Sequence, residues 1–131
     1  MSPHFISPHF TEEELRCKCG CKTYAMDYKL ILMLEDARVK SGVPYFISSG
    51  CRCPAHNKEV GGAADSAHLT RVDDGEFCQA VDIETDSSIK RFHIIRGLFA
   101  AGFTRLGFGK NQTFIHADID SNKPQNVFFQ E

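Results

Sequence analysis

At 131 residues, with 42% hydrophobic and 24% charged side chains, the chain has the size and make-up of one globular domain built on one core. Its net charge of -2, without a basic stripe, argues against nucleic acid as a main partner. No apolar run is long enough to cross a bilayer, which excludes insertion as a membrane helix, and the opening MSPHFISPHF lacks the basic-then-apolar order of a signal peptide.

Residues 10–16 are predicted as a short helix, because Thr11 and Glu14 have capping-box spacing. The polar CKCGCK that follows is a loop, with Gly20 breaking any period. Residues 27–40 form the clearest helix. Asp27 caps it, Leu30, Met33, Leu34 and Ala37 share one face, and Gly42 and Pro44 stop it. Residues 45–48 are a short strand running into SSGCRCPAHN, where Pro54 opens a short helix that ends at Gly61-Gly62. The loop 63–67 leads to His68.

Residues 80–84 alternate, with Ala80, Asp82 and Glu84 on one face and Val81 and Ile83 on the other. If Val81 and Ile83 face the core, Asp82 faces a cleft. Ser87 or Ser88 caps a helix running to Ala101, with Phe92, Ile95 and Phe99 along one face. Residues 105–108 and 113–119 are predicted as a hairpin around a turn at 109–111, and Val127, Phe128 and Phe129 of the polar tail pack back on the body. There is no repeat and no linker. The expectation is one α+β domain over residues 1–131, a small and largely antiparallel sheet with flanking helices packed on one side.

Asp82 lies in an otherwise apolar strand, where a carboxylate is costly unless it is paired or metal-bound. His116 lies likewise between Ile115 and Ala117. With His68 they make one carboxylate and two histidines, a usual set of protein ligands for a catalytic zinc whose fourth position is left to water. A buried His–Asp hydrogen bond without metal is the competing explanation from pattern alone.

Six cysteines are many for this length: Cys17, Cys19, Cys21, Cys51, Cys53 and Cys78. A secreted, disulfide-stapled domain fits the count but not the missing signal peptide. Cys17, Cys19, Cys21 and Cys53 are a candidate second, structural zinc site. Their C-x-C-x-C spacing is tighter than the familiar C-x2-C knuckle, and disulfides or buried thiols are open alternatives.

Taken together, SSGCRCPAHNKEVGGAADSAHL, QAVDI and GFGKNQTFIHADID resemble the zinc D-Ala-D-Ala carboxypeptidase family. Its relatives include VanX-type dipeptidases and phage L-alanyl-D-glutamate endolysins, and the likeness is strongest to small phage and prophage members. It runs from HFTEEEL to KPQNV. The resemblance implies a hedgehog/D-Ala-D-Ala-peptidase-like fold, which agrees with the elements above. It implies Zn2+ as cofactor, held by His68, Asp82 and His116. Ser66 and Arg52 become substrate-binding residues, and the planar fork of Arg52 would hold a substrate carboxylate or polarise a carbonyl. A surface ion pair is the plain alternative for Arg52.

Two departures stand out. Fourteen positions separate His68 from Asp82, twice the usual family offset, so residues around RVDDGEFC are expected as an inserted loop. Asp73 and Asp74 lie nearer the usual offset, but DDG has the character of a turn. Second, Thr113 stands where many relatives carry an acid ahead of the last histidine. Asp118 is then the first candidate for the catalytic base, or else it orients a ligand; Glu84 is a weaker candidate.

The implied activity is that of a zinc metallopeptidase, of D,D-carboxypeptidase or L-alanyl-D-glutamate endopeptidase type, with the stem peptide of peptidoglycan as partner. A monomer is expected, made in the cytoplasm and reaching the wall after lysis or by separate export. The alternative is a non-catalytic, zinc-containing binding or structural module of a phage or prophage. Hedgehog-class relatives keep this fold and zinc without evident peptidase work, and Thr113 is the residue that raises the alternative.

Overall fold

Local capping places the helices of the chain, whose residues 3–130 are described by a computed structural model. Helix α1 (Glu12–Leu15) begins at Thr11, whose hydroxyl accepts from the Glu14 amide while the Glu14 carboxylate accepts from the Thr11 amide. Helix α2 (Tyr28–Ser41) starts at Asp27, which accepts from the Lys29 amide, and ends at Gly42 in the left-handed region. Helix α3 (Pro54–Glu59) has Pro54 in its first turn, and helix α4 (Ser88–Ala100) is capped by Ser87.

The strands are β1 (Phe5–Ser7), β2 (Phe10–Thr11), β3 (Ile47–Ser49), β4 (Ala80–Glu84), β5 (Arg105–Phe108), β6 (Phe114–Asp118) and β7 (Val127–Gln130). The first two pair antiparallel with each other. The rest form one sheet in the order β3-β4-β6-β5-β7. All its neighbours are antiparallel except β5 and β7, which run parallel. The α+β architecture and the β5–β6 hairpin are those expected from the sequence.

One face of this sheet is apolar. Val81 and Ile83 of β4, Leu106 of β5, and Ile115 and Ala117 of β6 are buried against Leu30 and Leu34 of α2 and Ile94 and Leu98 of α4. Strand alternation turns Asp82, Arg105, His116 and Asp118 to the other face. The hydrophobic packing that orders the strands therefore also lines up four polar side chains.

Three features differ from the expectations. The β1–β2 pair and the strand character of β7 were not foreseen. Both are short segments whose pairing is decided by a distant partner: Leu106 opposite Phe128 for β7, and Thr11 opposite Phe5 for the N-terminal pair. The third difference is the buried face of α4. It carries Ile94, Gly97 and Leu98, whereas Phe92 and Phe99 are 64% and 47% exposed. Gly97 explains the choice. A Cβ there would lie 2.6 Å from the Ala37 carbonyl oxygen, so α4 meets α2 at its slimmest point. Phe99 instead packs at a tilt against Phe128 of β7, with ring centroids 5.3 Å apart.

Candidate active site

Strands β4 and β6 pair so that Asp82 lies directly opposite His116, and Ala80 opposite Asp118. His68 arrives from a loop fixed by its neighbour segment. The Arg52 amide donates to the His68 carbonyl at 3.0 Å, and the Thr70 amide donates to the Arg52 carbonyl at 2.8 Å. Ser66 Oγ accepts from the His68 amide at 3.2 Å. His68, Asp82 and His116 are all buried, and their donor atoms lie within 4.8 Å of one another.

The outer hydrogen bonds decide which nitrogen each imidazole presents. His68 Nδ1 lies 2.7 Å from the Gly50 carbonyl oxygen, which can only accept, so Nδ1 carries the hydrogen. His68 Nε2 then faces Asp82 Oδ1 at 3.1 Å. His116 Nε2 donates to Asp118 Oδ2 at 2.7 Å, and its Nδ1 faces the same Asp82 Oδ1 at 3.1 Å. With the outer hydrogens in place, the inner nitrogens of both imidazoles point at one carboxylate oxygen. The approach is held by a proton on each inner nitrogen, which donates to the carboxylate, or by a metal ion that takes the protons' place. Two imidazole nitrogens and a carboxylate oxygen at this spacing suit zinc.

The surrounding charges agree. Burial alone pushes the Asp82 carboxyl up, but hydrogen bonds from His116 and His68 and their charge outweigh it and hold Asp82 well below the usual carboxylate range. Asp118 follows the same pattern. Burial raises it, while His116, the Asp120 amide and the Arg105 guanidinium together bring it below its ordinary value. Both carboxylates are therefore anionic at neutral pH.

Arg52 reaches the same point from the side, with Nη2 3.3 Å from Asp82 Oδ2. Its Nε donates to Ser49 Oγ at 3.1 Å and its Nη1 to Asn57 Oδ1 at 3.4 Å. The guanidinium is thus held in place and mostly buried, not a mobile surface ion pair. An open cleft of about 620 Å3 runs past these groups, and Arg52, Ser66, Asp82, His116 and Asp118 line it.

Other candidates fall elsewhere. Asp73 and Asp74 lie on an exposed 3-10 turn (Val72–Asp74), within a loop closed by pairing of Arg71 with Glu76. Residues 69–79 thus form a loop around that turn, ahead of β4. Glu84 and Thr113 line a neighbouring cleft, which shares Phe114 as a wall with the first.

Gly50, Ser49, Asn57 and Arg105 were not foreseen as parts of the site. Arg105 carried a legible signal, since a charged residue in an apolar strand needs a partner. Its Nε donates to Asp118 Oδ1 at 2.9 Å. Gly50 carried none. A Cβ there would lie 2.4 Å from the Leu15 carbonyl oxygen, so only glycine lets this segment pass α1 and offer its own carbonyl to His68. Gly50→Ala is expected to cost about 1–3 kcal/mol, the usual range for overpacking. A thermal melt of the variant indistinguishable from the parent would remove this account of Gly50.

A family model described as Peptidase M15 matches residues 8–118, which includes all three candidate ligands. The chain belongs to the peptidase M15 family. No curated protein matches the chain. Members of the M15 family are zinc-dependent metallopeptidases, and the His68–Asp82–His116 group is where this M15 chain is able to hold such an ion.

Proposed function

We propose that this M15 chain is a zinc peptidase that hydrolyses a peptide bond in the stem peptides of bacterial peptidoglycan, as a carboxypeptidase or an endopeptidase. The observation that carries the reading is the convergence of His68 Nε2, His116 Nδ1 and Asp82 Oδ1 at the floor of an open cleft. Zinc held there would supply a Lewis acid able to polarise a carbonyl and to activate water at neutral pH.

The protein's own groups do the rest. Gly50 and Asp118 fix the two imidazoles in the tautomers that face Asp82. Arg52 is held by Ser49 and Asn57 and stays charged, so it is placed to bind a substrate carboxylate or to polarise the carbonyl of the scissile bond. Ser66 holds the His68 loop from the cleft wall and is the candidate for a polar contact to the peptide. Both oxygens of Asp118 are taken up by His116, Arg105 and the Asp120 amide. Of its two candidate roles, that arrangement favours orienting His116 over taking a proton from water. A phage or prophage setting, with release to the wall at lysis, belongs to the same proposal.

The test is incubation of the zinc-loaded protein with purified stem peptides, with products read by mass spectrometry. Loss of the terminal D-alanine from a pentapeptide would identify a carboxypeptidase. A cut between L-alanine and D-glutamate would identify an endopeptidase. A protein that binds zinc yet cuts none of several stem peptides would overturn the reading in favour of a non-catalytic module.

A further inference from the structure

All six cysteines lie outside the site above, and the fold brings four of them together. After α1 the chain turns back on itself, closed by the Cys17 amide donating to the Thr23 carbonyl at 2.8 Å. Lys22, at φ 60, helps to fold this loop. The loop docks on the segment after β3, where the Cys51 amide donates to the Leu15 carbonyl at 2.8 Å. That docking sets Cys53 beside Cys17, Cys19 and Cys21, and all four Sγ atoms lie within 4.8 Å of one another.

The distances describe a cluster, not two couples. Cys19 Sγ is 3.5 Å from Cys17 Sγ and 3.6 Å from Cys53 Sγ, so it prefers neither partner. A disulfide requires about 2.05 Å between its sulfurs. Backbone amides also point at three of these sulfurs. Cys53 donates to Cys17 Sγ, His56 to Cys53 Sγ and Thr23 to Cys21 Sγ, each at 3.4 Å. Such donors favour negative sulfur, the form that binds metal. Cys51 and Cys78 stand apart as buried thiols, Cys51 against Met26 Sδ at 3.4 Å and Cys78 on the Ala80 carbonyl at 3.1 Å.

We propose that Cys17, Cys19, Cys21 and Cys53 hold a second zinc ion, in a tetrathiolate structural site that fastens the 17–21 loop to the segment carrying Arg52. Soft sulfur donors in a set of four select zinc among the common divalent ions, and a shell closed by protein ligands leaves no position for substrate. Each thiol gives its proton to solvent as its sulfur bonds the ion, and no oxidation state changes. Arg52 lies between Cys51 and Cys53, and its backbone pairs with His68 and Thr70, so the clamp steadies one wall of the cleft. This consequence for Arg52 rests on the peptidase reading; the binding of metal by the thiols does not.

The test is elemental analysis of the purified full chain together with the absorption spectrum of its cobalt-substituted form. The parent is expected to hold about two zinc ions per chain, and Asp82→Ala and Cys19→Ser about one each, since each loses one ligand set. Cobalt in the parent should show the near-ultraviolet charge-transfer absorption of thiolate ligation. That absorption should persist in Asp82→Ala and vanish in Cys19→Ser. The parent spectrum decides the matter even if Cys19→Ser fails to fold, because the histidine–carboxylate site has no sulfur. A parent holding one zinc, lost in Asp82→Ala, with no thiolate absorption, would overturn the proposal. So would non-reducing peptide mapping that finds disulfides among these four cysteines. A protein with thiolate-bound metal but no peptidase activity would keep this site and discard the peptidase reading.

Discussion

Asp82→Ala is expected to empty the catalytic metal site and to lower turnover by more than about 100-fold, beyond the loss usual for removing a ligand's outer hydrogen-bond partner. Asp82 Oδ1 is the one atom that both His68 and His116 face, at 3.1 Å each. Its Oδ2 is the partner of Arg52. Removing the carboxylate therefore takes away a proposed ligand and leaves a mostly buried guanidinium without its counter-charge. Breaking a buried pair from one side costs about 3–5 kcal/mol, so the thermal midpoint should fall as well. Zinc per chain by elemental mass spectrometry is the direct readout. A variant that keeps the parent's metal content would show that Asp82 is not a ligand, and that the ion is held by some other group.

The second large effect concerns Asp118, and here two substitutions must be compared. An asparagine at this position keeps an oxygen able to accept from His116 Nε2, whereas alanine does not. If Asp118 orients His116, Asp118→Asn should retain zinc and lose less than about 100-fold in activity. Asp118→Ala should lose metal affinity, and it should also be less stable, because Arg105 is itself buried and its guanidinium would lose the carboxylate. A general base would give a different pattern. Both variants would then be about equally inactive, by roughly 100- to 10,000-fold, with the acid limb of the pH–rate profile gone from both. That second pattern would reverse the role assigned to Asp118 from its hydrogen bonds.

Much of this site was legible before any fold was known, because its signals are local. A carboxylate in AVDIE and a histidine in FIHAD each interrupt an apolar strand, and a buried polar group needs a partner. Period-two alternation put Asp82 opposite in sense to Val81 and Ile83, and the structure buries those two residues in the core. The helices were legible for a similar reason. Thr11, Asp27 and Ser87 bind amides two or three residues ahead, so each start is written within one turn.

What the sequence left open depended on residues far apart in the chain. The buried face of α4 was decided by how closely Gly97 approaches Ala37, not by where its phenylalanines lie. Strand β7 exists because β5 offers it an edge, and its four residues carry too short a pattern to announce that pairing. Spacing alone was silent on whether the thiols meet, since Cys53 reaches the 17–21 loop through tertiary contacts, the docking of Cys51 on Leu15 and of the Cys53 amide on Cys17 Sγ. The tautomers of His68 and His116 were likewise beyond reach, because they are set by a glycine carbonyl and by a carboxylate that Arg105 holds from the next strand. The sequence by itself determined which groups had to find partners; the tertiary structure decided which partners they found, because a hydrogen bond or a metal shell is satisfied by proximity in space and not by order along the chain.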